Sequence, residues 1–100
     1  ASAVGHGVLV PHARLPGLKA PLIAVGRFVK APLLPTPDGV PLRLVFLVLS
    51  PIEAPTAQLK ILQRIASLVT NETLRRKLLR AKTDEALLTL LRTADTMLAT

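Results

Sequence analysis

Leu44-Val45-Phe46-Leu47-Val48-Leu49 places six apolar residues in a row with no polar alternation. The run is far shorter than the ~20 residues a membrane helix needs. An unbroken apolar run of this length reads as a strand buried on both faces. With Val40-Pro41-Leu42-Arg43 leading into it, the segment predicts the central strand of a sheet covered by helices on both sides, stopped by Ser50-Pro51. A few residues later the apolar period changes. Leu59, Leu62, Ile65, Ala66 and Val69 follow helical spacing, with Lys60, Gln63, Arg64 and Ser67 opposite. Continuous strand followed by amphipathic helix leaves few options beyond an α/β layer fold.

The remaining elements follow from local signals. Val8–Val10 and Leu22–Phe28 read as further strands, and Leu15–Ala20 as a Pro-Gly loop. Ala31–Gly39, with three prolines and an Asp38-Gly39 turn, is an irregular connection. Helices are expected from about Thr56, with Pro55 in the first turn, from Asn71 through about Ala81, and from Thr83. Leu87, Leu88, Leu90 and Leu91 supply the apolar side of the last helix, which frays from Met97 to Thr100. The fold class is α/β, a mixed sheet flanked by helices, in a single domain spanning 1–100. Three helices alone leave one sheet face bare, so its cover is expected from residues absent here or from a partner chain. The chain starts at Ala1 and opens almost directly on a Gly-His-Gly motif, as a fragment or truncated domain would.

Charge narrows the partners. Thirteen Lys and Arg against six Asp and Glu give a net charge of +7, which favours anionic partners. No Tyr or Trp is present to stack on bases and no nucleic-acid-binding motif is visible, so nucleic acid is not expected. Cysteine is absent, which removes disulfides and thiolate metal sites. No basic-then-apolar leader opens the chain, so no signal peptide is read.

The chemistry concentrates in Gly5-His6-Gly7-Val8-Leu9-Val10-Pro11-His12-Ala13-Arg14. Pro11 restricts Val10 to an extended conformation, so His12 is expected where a strand gives way to a loop. Arg14, two residues on, is a planar cation able to grip phosphate through two parallel bonds. His12 is therefore the candidate nucleophile. His6 reads as a solvent-facing loop residue, and two histidines without acidic company are too few for a metal site. Arg75, Arg76, Lys77, Arg80 and Lys82 form a basic cluster, read as a solvated helix face or a contact for an acidic protein or membrane surface. Asp38 and Glu53 are isolated carboxylates, so no paired acid/base site is visible.

Gly7 through Arg14 resembles the active-site signature of the fructose/mannitol/nitrogen-regulatory enzyme IIA family of the bacterial phosphotransferase system. The resemblance continues through Leu22–Val25, Pro37–Leu42, Leu44–Leu49, Gln58–Val69 and Asn71–Leu88. It implies that His12 accepts a phosphoryl group from a histidine phosphocarrier protein and passes it to an enzyme IIB partner. It further implies a cytoplasmic domain, possible service to a membrane transporter, and neither metal nor organic cofactor. Imidazoles titrate near ~6.5, so a neutral nucleophilic form is available at neutral pH. In-line phosphoryl transfer needs positioning and hydrogen-bond donors more than covalent chemistry, roles expected of Arg14 and Gln58.

Two departures from the family pattern stand out. Where the family carries a second histidine before a leucine at the start of the long helix, this chain has Gln58-Leu59. A glutamine amide donates hydrogen bonds but cannot carry positive charge. The family's upstream helices and strand, with an Arg-Glu pair near the site, are also missing. Two functions therefore compete: a phosphocarrier acting through His12, and a catalytically impaired regulatory or binding domain of a transporter, antiporter or transcription regulator.

Overall fold

The computed structural model describes residues 3–99, with strands β1 (Ala3–Gly5), β2 (Val8–Leu9), β3 (His12–Leu15), β4 (Leu22–Arg27) and β5 (Leu44–Pro51). Helices α1 (Pro55–Thr70), α2 (Glu72–Arg80) and α3 (Asp84–Ala99) follow. β5 is central. On one side it pairs in parallel with β2 (Val8↔Leu44, Leu9↔Val45) and with β3 (His12↔Val48 through Leu15↔Pro51). On the other it pairs antiparallel with β4, from Leu22↔Leu49 to Arg27↔Leu44. β1 folds back antiparallel on β2. The sheet is mixed and flanked by helices, as expected for an α/β fold.

β2 and β3 are two halves of one broken strand. Val10 is buried, and the Pro11 carbonyl still accepts the Val48 N–H at 2.9 Å across the break. The expectation that the chain turns into a loop at His12 is therefore corrected: pairing resumes there and continues to Leu15. Nor does Ser50-Pro51 stop β5. A proline lacks only an N–H, and the ladder runs on past it, with Ile52 N–H donating to the Leu15 carbonyl at 3.1 Å.

The central strand is not covered on both faces. Leu44, Phe46, Val48 and Ser50 are buried, whereas Leu47 between them is 38% exposed. One face of the sheet packs on α1, and α2 and α3 close the core behind it through Ile65, Leu68, Val69, Leu78, Leu87 and Leu91. The shortest dimension, 21 Å, matches two layers at ~10 Å each. An all-apolar strand sequence does not report which face is covered, and here the helices cover only one.

Helix boundaries follow local chemistry. Pro55 opens α1. The Asn71 side chain accepts the Leu74 N–H at 2.9 Å, and Thr83 Oγ1 accepts the Ala86 N–H at 3.1 Å, capping α2 and α3. Two expectations fail on side-chain direction and length. Leu59 is 56% exposed, off the buried stripe of α1, and α3 stays helical through Ala99 instead of fraying from Met97. Thr100 lies outside the described residues. α1 and α3 are tied by Arg64, whose Nε donates to Asp95 Oδ1 at 2.8 Å and whose Nη2 donates to the Asp95 carbonyl at 3.0 Å.

Upstream of the broken strand, Gly5, His6 and Gly7 all have positive φ. Gly7 is required for space as well as for φ, because a Cβ there would run into the Pro41 carbonyl. That close approach lets the Gly7 carbonyl accept the N–H groups of Arg43 and Leu44, at 2.9 and 3.1 Å, and so sets the register of β2 on β5.

Candidate phosphoryl-acceptor site

Strand alternation decides what shares a face. His12 and Arg14, two residues apart on β3, point to the same side of the sheet. By register it is the side of Val48 and Ser50, the helix-covered face. Val48 is fully buried while its neighbour His12 is exposed, so the edge of the helix layer falls between them. His12 thus stands at the rim of the core, on a backbone anchored below by buried Val10 and across by Val48.

Its ring is oriented by one bond. Nδ1 lies 2.7 Å from the Val10 carbonyl oxygen. A carbonyl only accepts, so Nδ1 carries the proton and donates. In the neutral ring, Nε2 then holds the free lone pair. Arg14 is exposed, and among the described residues its guanidinium has no hydrogen-bond or ion-pair partner. All its donors remain available on the sheet face that carries His12.

Gln58 comes from a different element. β5 ends at Pro51, Ile52–Ala54 make the turn, and α1 starts at Pro55, so Gln58 sits in the first turn, with its N–H on the Ala54 carbonyl at 3.3 Å. That turn leaves the same end of the sheet at which β3 carries His12 and Arg14. No hydrogen bond joins Gln58 to His12 among the described residues. Instead Gln58 Oε1 is buried without a partner, as is the hydroxyl of Ser50, the β5 residue opposite Arg14. A buried polar atom left unpaired costs roughly 1–3 kcal/mol, and such orphans mark places where a ligand or a rearranged side chain completes the bonding. The first turn of α1 has neither a side-chain cap nor an acidic residue, so its positive end is not neutralised from within the helix.

Ser50 is the buried polar group at this end of the sheet that sequence reasoning did not single out as a candidate. Its signal was a hydroxyl closing an otherwise apolar run, which reads equally as a strand terminator. Among the described residues no cluster of His, Asp and Glu could hold a metal, and no helix is long and apolar enough to cross a membrane.

Comparison with known proteins bears on this arrangement. The family model described as "Phosphoenolpyruvate-dependent sugar phosphotransferase system, EIIA 2" matches residues 1–94. The chain is 36% identical over 90 residues to a nitrogen regulatory protein of Bradyrhizobium diazoefficiens, covering 90% of this chain and 59% of that protein. It is 30% identical over 94 residues to the fructose-specific EIIABC component of Bacillus subtilis, covering 94% of this chain but 15% of that protein. The crystal structure of the nitrogen regulatory protein IIA-Ntr from Neisseria meningitidis superposes with a TM-score of 0.82 at 29% identity, over 90% of this chain and 62% of that one. The chain therefore spans only part of the relatives it matches, from 15% to 62% of their own length. With the family model covering nearly its whole length, the chain belongs to the EIIA 2 family of the phosphoenolpyruvate-dependent sugar phosphotransferase system.

Proposed function

We propose that this chain is a phosphocarrier domain whose His12 Nε2 takes a phosphoryl group from a phosphohistidine on a carrier protein and yields it to an enzyme IIB-type partner in the cytoplasm. In the first transfer the P–N bond to His12 Nε2 forms as the donor's P–N bond breaks, and in the second that bond breaks as the partner's own nucleophile bonds to phosphorus. Throughout, the proton stays on Nδ1 and is donated to the Val10 carbonyl. The observation that carries this reading is the 2.7 Å contact from Nδ1 to that carbonyl, which leaves Nε2 as the nucleophile on an exposed ring. Arg14 supplies charge and donors for the equatorial oxygens. Gln58 reaches them by turning its amide, which takes Oε1 out of its unpaired burial and brings Nε2–H forward.

The orphaned Gln58 oxygen also supports a second reading. A glutamine where a cationic histidine would stabilise the transferred group suits a domain that has kept the fold for binding while losing rate. Phosphoenolpyruvate, the general phosphotransferase proteins and intact-mass measurement separate the two. The first reading expects one added phosphoryl group, abolished by His12→Ala, retained by His6→Ala and accelerated by Gln58→His. Wild-type protein and Gln58→His both remaining unmodified by a competent donor establishes the second.

A further inference from the structure

The end of the sheet opposite His12 gathers cations that phosphoryl transfer does not use. The turn between β1 and β2 is left-handed at three successive residues, with φ of 79° at Gly5, 59° at His6 and 75° at Gly7. Asp38 Oδ2 accepts the His6 N–H at 2.8 Å and fixes this turn. His6 so held lines an open cavity of about 460 Å³ together with Arg43, Arg75 and Arg76, between the apolar side chains of Val40 and Leu79. The arginines come from two separate places, the residue before β5 and the first half of α2.

How these arginines are anchored decides what the cavity can hold. Arg43 donates through Nε to the Phe28 carbonyl at 2.6 Å, leaving both terminal amino groups free. Arg75 donates through Nη1 to the Val69 carbonyl at 2.7 Å. Both forks are positioned by neutral backbone oxygens, so their charge is not cancelled. Arg76 pairs with Glu72 at 2.7 Å in an exposed i, i+4 bridge, and among the described residues Glu72 is the only carboxylate bonded to any of the three. Preorganised, under-neutralised guanidinium forks match phosphate oxygens in geometry and charge. The cavity also has the ~300–1,000 Å³ scale of small-molecule sites, and its apolar walls offer nothing to a bare anion.

We propose that this cavity binds a small organic phosphate, with phosphate on the arginine forks and an apolar or ring portion between Val40 and Leu79. The site is separate from the acceptor. Arg43 precedes β5, whereas His12 pairs with Val48, five residues further along a strand rising ~3.3 Å per residue, or ~16 Å away. The proposal therefore stands whether or not His12 accepts a phosphoryl group.

Amide-resolved NMR titration of the 100-residue chain with ADP, adenosine and inorganic phosphate tests it. ADP is expected to shift the resonances of Gly5–Gly7, Arg43 and Arg75 and to bind at least about tenfold more tightly than adenosine or phosphate alone. Arg43→Gln and Arg76→Gln should each weaken ADP by about tenfold, the usual effect of losing a charge-assisted hydrogen bond, while Arg14→Gln leaves it unchanged. Arg76 is exposed, so its variant keeps the fold, which a thermal melt verifies. Shifts centred on His12 and Arg14, equal affinity for ADP and phosphate, or undiminished ADP binding by Arg76→Gln would each overturn the proposal.

Discussion

Asp38 shows how much a single exposed carboxylate can organise. It accepts the His6 N–H at 2.8 Å through one oxygen and the Val40 N–H at 3.2 Å through the other, linking the left-handed turn to the segment that leads into β5. These two backbone bonds, the His6 one foremost, hold its pKa below the ordinary 3.8. A carboxyl depressed on folding stabilises the fold above its unfolded pKa and loses that contribution as pH falls through the folded value. Asp38→Asn is therefore expected to lower the melting temperature at pH 7. The gap from wild type should narrow as pH drops below about 3.8 and close once the native carboxyl is protonated. Melting curves across that range check this; a gap that persists in acid would show that the bonds act without the charge. In sequence Asp38 was legible only as part of a turn, because its partner lies 32 residues away and nothing local announces the pairing.

At the scale of elements, legibility tracks the range of the forces involved. Caps and helix starts depend on residues three or four apart, so Asn71, Thr83 and Pro55 were readable. β3 was not: His-Ala-Arg-Leu has no strand pattern of its own, and all four residues are exposed. It is a strand only because β5 offers a parallel edge, a long-range pairing that composition cannot report. The candidate acceptor segment stood out for the opposite reason, since proline, histidine and arginine act on each other within four residues. Helix packing gives the corresponding test. Leu78 of α2 is fully buried, while Leu59 of α1 is 56% exposed. Leu78→Ala should cost about 2–5 kcal/mol of folding free energy, Leu62→Ala less because Leu62 is only half-buried at the core margin, and Leu59→Ala under ~1 kcal/mol. Denaturant titration ranks the three. A Leu59 cost rivalling that of Leu78 would mean that α1 is rotated about its axis.

The whole molecule is a helix layer on one side of a sheet whose other side faces outward. Register puts Leu9, Ala13 and Leu15 of the broken strand, Val45, Leu47 and Leu49 of β5, and Leu22, Ala24 and Gly26 of β4 on that outer face. None of these nine residues is charged, and Leu15, Leu22 and Leu47 are 39%, 57% and 38% exposed. Contiguous apolar patches beyond a few hundred Å² are rare on monomers in water, and the net charge of +7 sits elsewhere. The 100-residue chain in isolation should therefore enhance the fluorescence of an apolar dye and sediment with a concentration-dependent increase in mass. Leu22→Lys with Leu47→Lys should suppress both effects while leaving the proposed phosphoryl uptake by His12 untouched, because the substituted side chains and His12 lie on opposite faces. The double substitution should barely move the melting temperature, since exposed positions contribute little to the folded state. Dye binding that survives it would locate the accessible apolar surface on the helix side, in the 270 Å³ groove where Ile23 and Val25 meet α1 and α3. The outer face of the sheet would then be less open to solvent than its register and exposure require.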